Sequence, residues 1–364
     1  MPDAIWIDRS DQLPPLARTL ESHASIGLDT EFLRERTFFP KLCLLQLTAG
    51  SDVWCVDTLR CGSLECLGTA LTTAPSRKVI HSARQDLEAF YLNERRVISP
   101  VFDTQIAAGC IGLKPQIGYA ELVKTLLDVT VPKGQTRTDW SKRPLTRAQL
   151  EYAADDVLYL QEIAERLTER LRALGRERWV LEDCAAFDDT RLYEPHPEQA
   201  WQRLRGLQQL PPTPRARAKI LAVWRERTAR ARDLPRGWII SDAAIFKLAE
   251  IDSVRAAAAA LRSLPEPMNG AIADSLLEAL SEGSEAEAAD QAPSRDARPT
   301  PEQRAVIDRL ARLVDARAAE LHVSAEILAP RGELKALAMG ERDVQSLSGW
   351  RRGEIGEKLL EAAA

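Results

Sequence analysis

Ser25-Ile26-Gly27-Leu28-Asp29-Thr30-Glu31-Phe32 is the stretch that decides the fold of this chain. Its run of apolar residues reads as a β-strand. Asp29 and Glu31 are two apart, so on a strand both carboxylates leave the same face. Two acids side by side among Ile26, Leu28 and Phe32 repel each other unless a cation lies between them. A hard divalent ion with oxygen ligands, Mg²⁺ or Mn²⁺, meets that need. An exposed edge strand with two solvated acids shows the same pattern, but the flanking apolar residues favour burial.

Working outward, the first ~200 residues alternate strand-like and helical runs, the pattern of an α/β domain. Leu42 to Thr48 and Val53 to Asp57 are strands, and the turn-like Ala49-Gly50-Ser51-Asp52 predicts a hairpin between them. Arg77 to His81 is a short strand leading to Ser82, the expected N-cap of a helix through Asp86, Leu87, Phe90 and Tyr91. Val101 to Thr104 is a further strand, followed by a helix from Gln105. Helical segments are expected at about 118–128 and 146–174.

Beyond residue 198 the strand signals vanish. Residues 199–280 read as short helices with Pro-rich turns. Residues 281–300, rich in Glu, Ala, Ser and Pro and without an apolar face, read as a disordered linker. Residues 301–361 return to helical spacing through Val306, Leu310, Leu313 and Val314. The expected division is therefore 1–198, 199–280, a linker over 281–300, and 301–364. Two helical units of similar length predict a duplicated module.

Composition narrows the class. The net charge of −5 argues against a general polyanion binder. The six cysteines form no C-x-x-C pair and no zinc-ligand spacing, so reduced, mostly buried thiols are expected. The start of the chain lacks a basic and apolar leader, and no apolar run approaches ~18 residues. The expected setting is soluble and cytoplasmic.

Two more acids join Asp29 and Glu31. Asp86 falls in the first turn of its helix, where the helix dipole favours any acid. Tyr152 and Asp156 are i and i+4 on a helix, which sets phenol and carboxylate on one face. Asp155 is adjacent, and spacing alone leaves open whether it or Asp156 faces the site.

Taken in order, these pieces resemble the DEDDy exonuclease superfamily, and within it the ribonuclease D family. Gly27-Leu28-Asp29-Thr30-Glu31-Phe32 is similar to its first motif. His81-Ser82-Ala83-Arg84-Gln85-Asp86-Leu87 is similar to its second, and Tyr152-Ala153-Ala154-Asp155-Asp156-Val157-Leu158-Tyr159-Leu160 to its third. Gln135 to Leu145 also looks typical of the family. Residues 199–280 and 301–361 resemble two HRDC domains. The resemblance implies a ribonuclease H-like mixed sheet flanked by helices, followed by two small all-α domains. It implies 3′→5′ hydrolysis of RNA to nucleoside 5′-monophosphates by two cations, Mg²⁺ or Mn²⁺. In that pattern Asp156 rather than Asp155 is the ligand, and Asp29 bridges both ions. Glu31 and Asp156 hold the ion carrying the attacking water, Asp86 completes the other shell, and Tyr152 orients the water. It further implies tRNA precursors and other RNAs with 3′ extensions as partners; three domains in one chain favour a monomer.

RNA must be held beside these acids. Arg34, Arg36, Lys133, Arg137, Lys142, Arg143 and Arg147 are candidate phosphate contacts, and Trp140 and Phe38 candidate stacking residues. Trp140 reads equally well as packed core. From Arg203 to Arg236 ten Lys and Arg residues face only Glu226 and Asp233. Arg215, Arg217 and Lys219 in that run are expected on an RNA surface, whereas the second module, nearly balanced in charge, is expected to pack on the nuclease domain. A DNA 3′→5′ exonuclease and a non-catalytic RNA-binding scaffold are the competing readings.

Overall fold

The computed structural model describes all residues except 1–3, 74, 133, 135–137, 195, 252, 264–269, 287–298 and 364. Six strands form one mixed sheet: β1 (Ile5–Ile7), β2 (Ser25–Leu33), β3 (Lys41–Ala49), β4 (Asp52–Val56), β5 (Arg77–Ile80) and β6 (Val101–Asp103). Their order is β1-β4-β3-β2-β5-β6. β3 runs antiparallel to β2 and, in the expected hairpin, to β4; β1 adds in parallel to β4, and β5 and β6 add in parallel beyond β2. This is the mixed sheet flanked by helices that the family resemblance implies.

Helices α1 (Leu13–Glu21), α2 (Glu65–Thr73), α3 (Arg84–Glu94), α4 (Thr104–Cys110), α5 (Tyr119–Leu127), α6 (Arg147–Leu158), α7 (Leu160–Ala173) and α8 (Glu177–Ala185) surround it. One face of β2 buries Ile26 and Leu28 fully, worth about 1.5–3 kcal/mol each. The other face carries Gly27, Asp29 and Glu31. A Cβ on Gly27 would lie 2.4 Å from Thr48 Cγ2 and 3.3 Å from Leu160 Cβ. Glycine leaves this space to the Thr48 methyl of β3 and to Leu160 at the start of α7.

Two expectations fail for physical reasons. The segment 146–174 is two helices, not one, broken at Tyr159. The Tyr119 hydroxyl donates to Asp155 O at 3.0 Å and accepts from Tyr159 N at 3.2 Å. It stands in the place of the backbone bond between these two residues, and a side chain inserted in the ladder bends a helix. Ser82 is not an N-cap: it sits at φ 60, and α3 starts after Ala83 without a side-chain cap of its own. Asp103 serves instead, accepting from Ser82 N at 3.1 Å and Ala83 N at 2.8 Å while also capping α4.

The chain forms two compact units. The first holds Met1–Leu33, Pro40–Tyr193 and Pro299–Ala364. The second holds Arg34–Phe39 and Glu194–Arg298, with α9 (Pro212–Arg232), α10 (Arg236–Ile239), α11 (Asp242–Ala249), α12 (Val254–Arg262) and α13 (Ala271–Ala286). α13 runs on into the expected linker, most of whose remainder lies outside the described residues.

In the first unit the C-terminal module contains α14 (Pro301–Leu321), α15 (Ala325–Leu328), α16 (Arg331–Ala338) and α17 (Glu357–Ala363). It packs on α8, as its balanced charge predicts. Trp350 stacks on Trp179 at 3.9 Å, and Arg351 grips Asp183 at 2.5 and 2.8 Å. The duplication is visible in spacing. Pro212 and Pro301, Arg236 and Ala325, and Asp242 and Arg331 are each 89 residues apart, so three successive helices start in the same register. Both long helices end on a left-handed residue, Asp233 and His322.

Arg143 is a structural lock rather than an RNA contact. Its five N–H donors are all used: two on Asp57 (2.6 and 2.8 Å) and one each on the carbonyls of Trp140, Lys142 and Cys43. Its side chain is 14% exposed and Asp57 is fully buried. Arg143→Met removes both guanidinium hydrogen bonds from the buried Asp57 carboxylate and leaves it the Leu59 N–H and Arg60 at 3.9 Å. It should cost about 3–5 kcal/mol in urea unfolding, and a loss below 1 kcal/mol would contradict the lock.

Candidate active site

β2 brings Asp29 and Glu31 to one face, paired across the ladder with Gln46 and Leu44 of β3. α6 crosses that face against β2, β3 and β4. It starts at a capping box in which Thr146 and Gln149 satisfy each other's backbone N–H groups. Asp156 on α6 meets the strand acids. Asp29, Glu31 and Asp156 each offer an oxygen, and these atoms all lie within 4.8 Å of one another. Asp86, on the first turn of α3, stands beside this trio, and Thr30 Oγ1 on β2 donates to its Oδ1 at 2.5 Å. The Tyr152 hydroxyl hydrogen-bonds Asp156.

Asp155 takes the other direction. With Arg147, Leu150, Glu151, Ala154 and Leu158 it lines a cleft of about 610 Å³ against Trp6 and Cys55. The choice that spacing left open between the two aspartates is thus a difference of helix face: Asp156 joins Asp29 and Glu31, and Asp155 does not.

The electrostatics of the trio call for cations. Burial first, then repulsion from Asp86, Asp156 and Glu31, pushes the Asp29 carboxyl well above the usual range. Burial, then Asp156 and Asp86, pushes Glu31 up to about 9. Burial raises Asp86 to about 7 against the Thr30 hydrogen bond, and Asp156 to about 7 against that of Tyr152. The charged side chains acting on Asp29 and Glu31 are all acids. An all-oxygen, all-acid donor set fits hard divalent ions.

Several candidate RNA contacts are placed elsewhere. Trp140 is 3% exposed, packed with Cys43, Leu44, Cys55 and Ala153 and tilted 6.1 Å from the Tyr152 ring. It backs the catalytic candidate and cannot stack on a base. Phe38 is buried in the second unit's core under the Arg236 guanidinium, and Asp233 holds its backbone N–H at 3.0 Å. Arg215 and Arg217 donate to the carbonyls of Leu210 and Ile251, both at 2.8 Å, and Lys219 sits 4.7 Å over the Trp201 ring. Each helps to build its own module. Lys133 and Arg137 lie outside the described residues. The sequence reading missed Asp103; its signal was an Asp directly before a helical run, the ordinary N-cap pattern.

The 3′–5′ exonuclease family matches residues 4–172, and the HRDC domain family matches residues 215–268. Ribonuclease D of Granulibacter bethesdensis is 35% identical, the alignment covering 99% of this chain and 92% of the relative. Ribonuclease D of Xanthomonas oryzae pv. oryzae is 35% identical over 98% of this chain and 97% of its own. This chain belongs to the ribonuclease D family. The crystal structure of Escherichia coli RNase D, described as an exoribonuclease involved in structured RNA processing, superposes with a TM-score of 0.84 at 29% identity, covering 99% of this chain and 98% of that one. Family and domain together make the chain a hydrolytic 3′→5′ exoribonuclease that uses divalent metal.

The raised carboxyl pKa values predict a pH signature. Without metal, the folded state keeps these protons to higher pH than the unfolded chain, where the groups titrate near 4. Between about pH 4 and 9 the native state binds more protons, so the stability they carry falls as pH rises. Thermal melts in EDTA should show that decline, weaker in Glu31→Gln/Asp156→Asn protein, and saturating Mg²⁺ should flatten it. Equal slopes in wild type and double variant would show that the cluster does not hold its protons.

Proposed function

We propose that this exoribonuclease trims 3′ extensions from structured RNAs, tRNA precursors among them, releasing nucleoside 5′-monophosphates. Two divalent cations, Mg²⁺ or Mn²⁺, are held by Asp29, Glu31, Asp86 and Asp156. The observation that carries the reading is the Asp29, Glu31 and Asp156 oxygens within 4.8 Å of one another. The Escherichia coli relative's description as acting in structured RNA processing supports the substrate class.

The chemistry that bound cations supply is neutralisation of phosphate charge and acidification of water. The chain's own residues do the rest. Asp29 and Glu31 are fixed by the β2–β3 ladder, and Asp86 by Thr30. A phenol of intrinsic pKa about 10 is a poor base near neutrality, so Tyr152 orients the attacking water through its hydroxyl. Trp140 behind its ring limits the positions that hydroxyl takes. All four acids come from one chain, which supports a monomer, and the six free thiols agree with a reducing cytoplasm.

Because Arg215, Arg217 and Lys219 are engaged within their own module, we place the RNA face of the second unit elsewhere. Arg230 and Arg232 are exposed at the end of α9, and Trp238 is 59% exposed on α10. Cations interleaved with an open aromatic ring suit single-stranded RNA. We place the RNA contact there instead of at Arg215, Arg217 and Lys219. Alanine at Arg230, Arg232 and Trp238 should reduce the salt slope of RNA binding by about 1 to 1.5. Alanine at Arg215, Arg217 and Lys219 should lower the melting temperature and leave the slope alone. The opposite pattern returns the surface to the first three.

The main test is digestion of matched 3′-extended RNA and DNA oligomers with Mg²⁺, Mn²⁺ or EDTA. Mononucleotide release from RNA, abolished by EDTA and by Asp29→Asn, is expected; Tyr152→Phe should lose about 10²-fold in rate and still bind metal. Faster release from DNA would overturn the substrate, and persistent release by Asp29→Asn would overturn the site.

A further inference from the structure

Gln46 on β3 lies directly across the ladder from Asp29. Opposed residues of an antiparallel pair project from one face with Cβ atoms about 4.5–5.5 Å apart, within reach of a glutamine side chain. On its other side Gln46 pairs with Cys55 of β4. Leu44 and Cys55 beside it are fully buried, and so is Gln46 itself. Among the described residues, neither its Oε1 nor its Nε2 has a hydrogen-bond partner.

An amide buried without partners costs about 1–3 kcal/mol. A methionine fills nearly the same space with no polar group to satisfy. The Gln46 amide is thus free to take a partner that arrives later, and the polar side chain opposite it on the ladder is Asp29. Carboxylates that hold metal are themselves held by outer hydrogen bonds, and removing one such bond lowers metal affinity about 10–100-fold.

We infer that Gln46 is the positioning residue for Asp29: with divalent cations bound, its Nε2 donates to the Asp29 carboxylate, directly or through one enclosed water. This rests on the metal-site reading of Asp29, Glu31, Asp86 and Asp156. The donated bond would fix the plane of the carboxylate and so the direction in which Asp29 offers its oxygens to cations. Gln46 touches neither substrate nor ion and acts only through Asp29.

The test is Mn²⁺ binding to the full chain, followed by calorimetry and by loss of the free Mn²⁺ paramagnetic resonance signal. Wild type, Gln46→Met, Gln46→Leu and Asp29→Asn are compared, with melting temperatures in EDTA and in Mn²⁺. Gln46→Met should melt in EDTA no lower than wild type, because an unsatisfied amide has been removed. It should nevertheless bind Mn²⁺ about 10-fold more weakly and gain less thermal stability from it. Gln46→Leu should show the same loss of affinity whatever its packing does to the EDTA melt. Wild-type Mn²⁺ affinity in both variants overturns the inference alone, leaving the metal site standing. So does a loss of binding that appears only in the variant with a lowered EDTA melt, which marks a packing role. If wild type and Asp29→Asn bind Mn²⁺ equally poorly, the metal site fails and this inference with it.

Discussion

Three carboxyl groups whose oxygens lie within 4.8 Å of one another are held there against their own repulsion. At an effective dielectric of about 20, each ionised pair at that distance costs about 3 to 4 kcal/mol. Nothing in the trio offsets this. The favourable terms come from outside it, and the fold is arranged to deliver them. β2 is gripped through its other face by Ile26 and Leu28 and through its edges by β3 and β5. A strand so held cannot slip register without turning both acids into the apolar layer. Burial and, after it, this repulsion then have two outlets: protons, which is why the carboxyl pKa values stand high, or divalent cations.

The two acids that are not on β2 must be aimed at it, and each is aimed by a polar group away from the trio. Asp103 gathers the backbone N–H groups at the starts of both α3 and α4, so the first turn of α3, with Asp86, is clamped to the end of β6. Tyr119 divides one long amphipathic run into α6 and α7. A straight helix of that length follows one line across a twisted sheet. The break lets α7 run over β2 and β5 while α6 lies over β2, β3 and β4 with Asp156 toward the acids.

How much was legible beforehand follows from the range of each interaction. The strand of Asp29 and Glu31, the hairpin after it and the pairing of Tyr152 with Asp156 depend on neighbours in sequence, and period and spacing expose them. The Tyr119 wedge, the Asp103 clamp and the Arg143–Asp57 lock join residues 20 to 86 positions apart. A tyrosine hydroxyl aimed into another helix looks the same in sequence as one aimed at water. Basic residues misled for the same reason. Arg143 and Arg215 lie in basic stretches, and only the fold reveals that carbonyls and carboxylates take up their donors. Trp140 was balanced between core and surface, and the packing behind Tyr152 decided it.

The duplicated module shows how one register serves two ends. In the C-terminal copy, the corner after the long helix is welded to the nuclease part of its unit. Arg176 donates to Leu321 O at 2.6 Å, and His322 O and Ile327 press so close on Gly112 and Gly109 that a Cβ there would lie 2.2 and 2.7 Å away. In the earlier copy, the positions 89 residues before are Arg232, Asp233 and Trp238. Asp233 is occupied by the N–H groups of Phe38 and Phe39. Arg232 and Trp238 remain exposed. An isoleucine at that corner is a knob for a glycine-lined seat; a tryptophan is too large for it and presents a flat ring. The proposed RNA contact at Arg230, Arg232 and Trp238 uses the corner that the other copy devotes to packing.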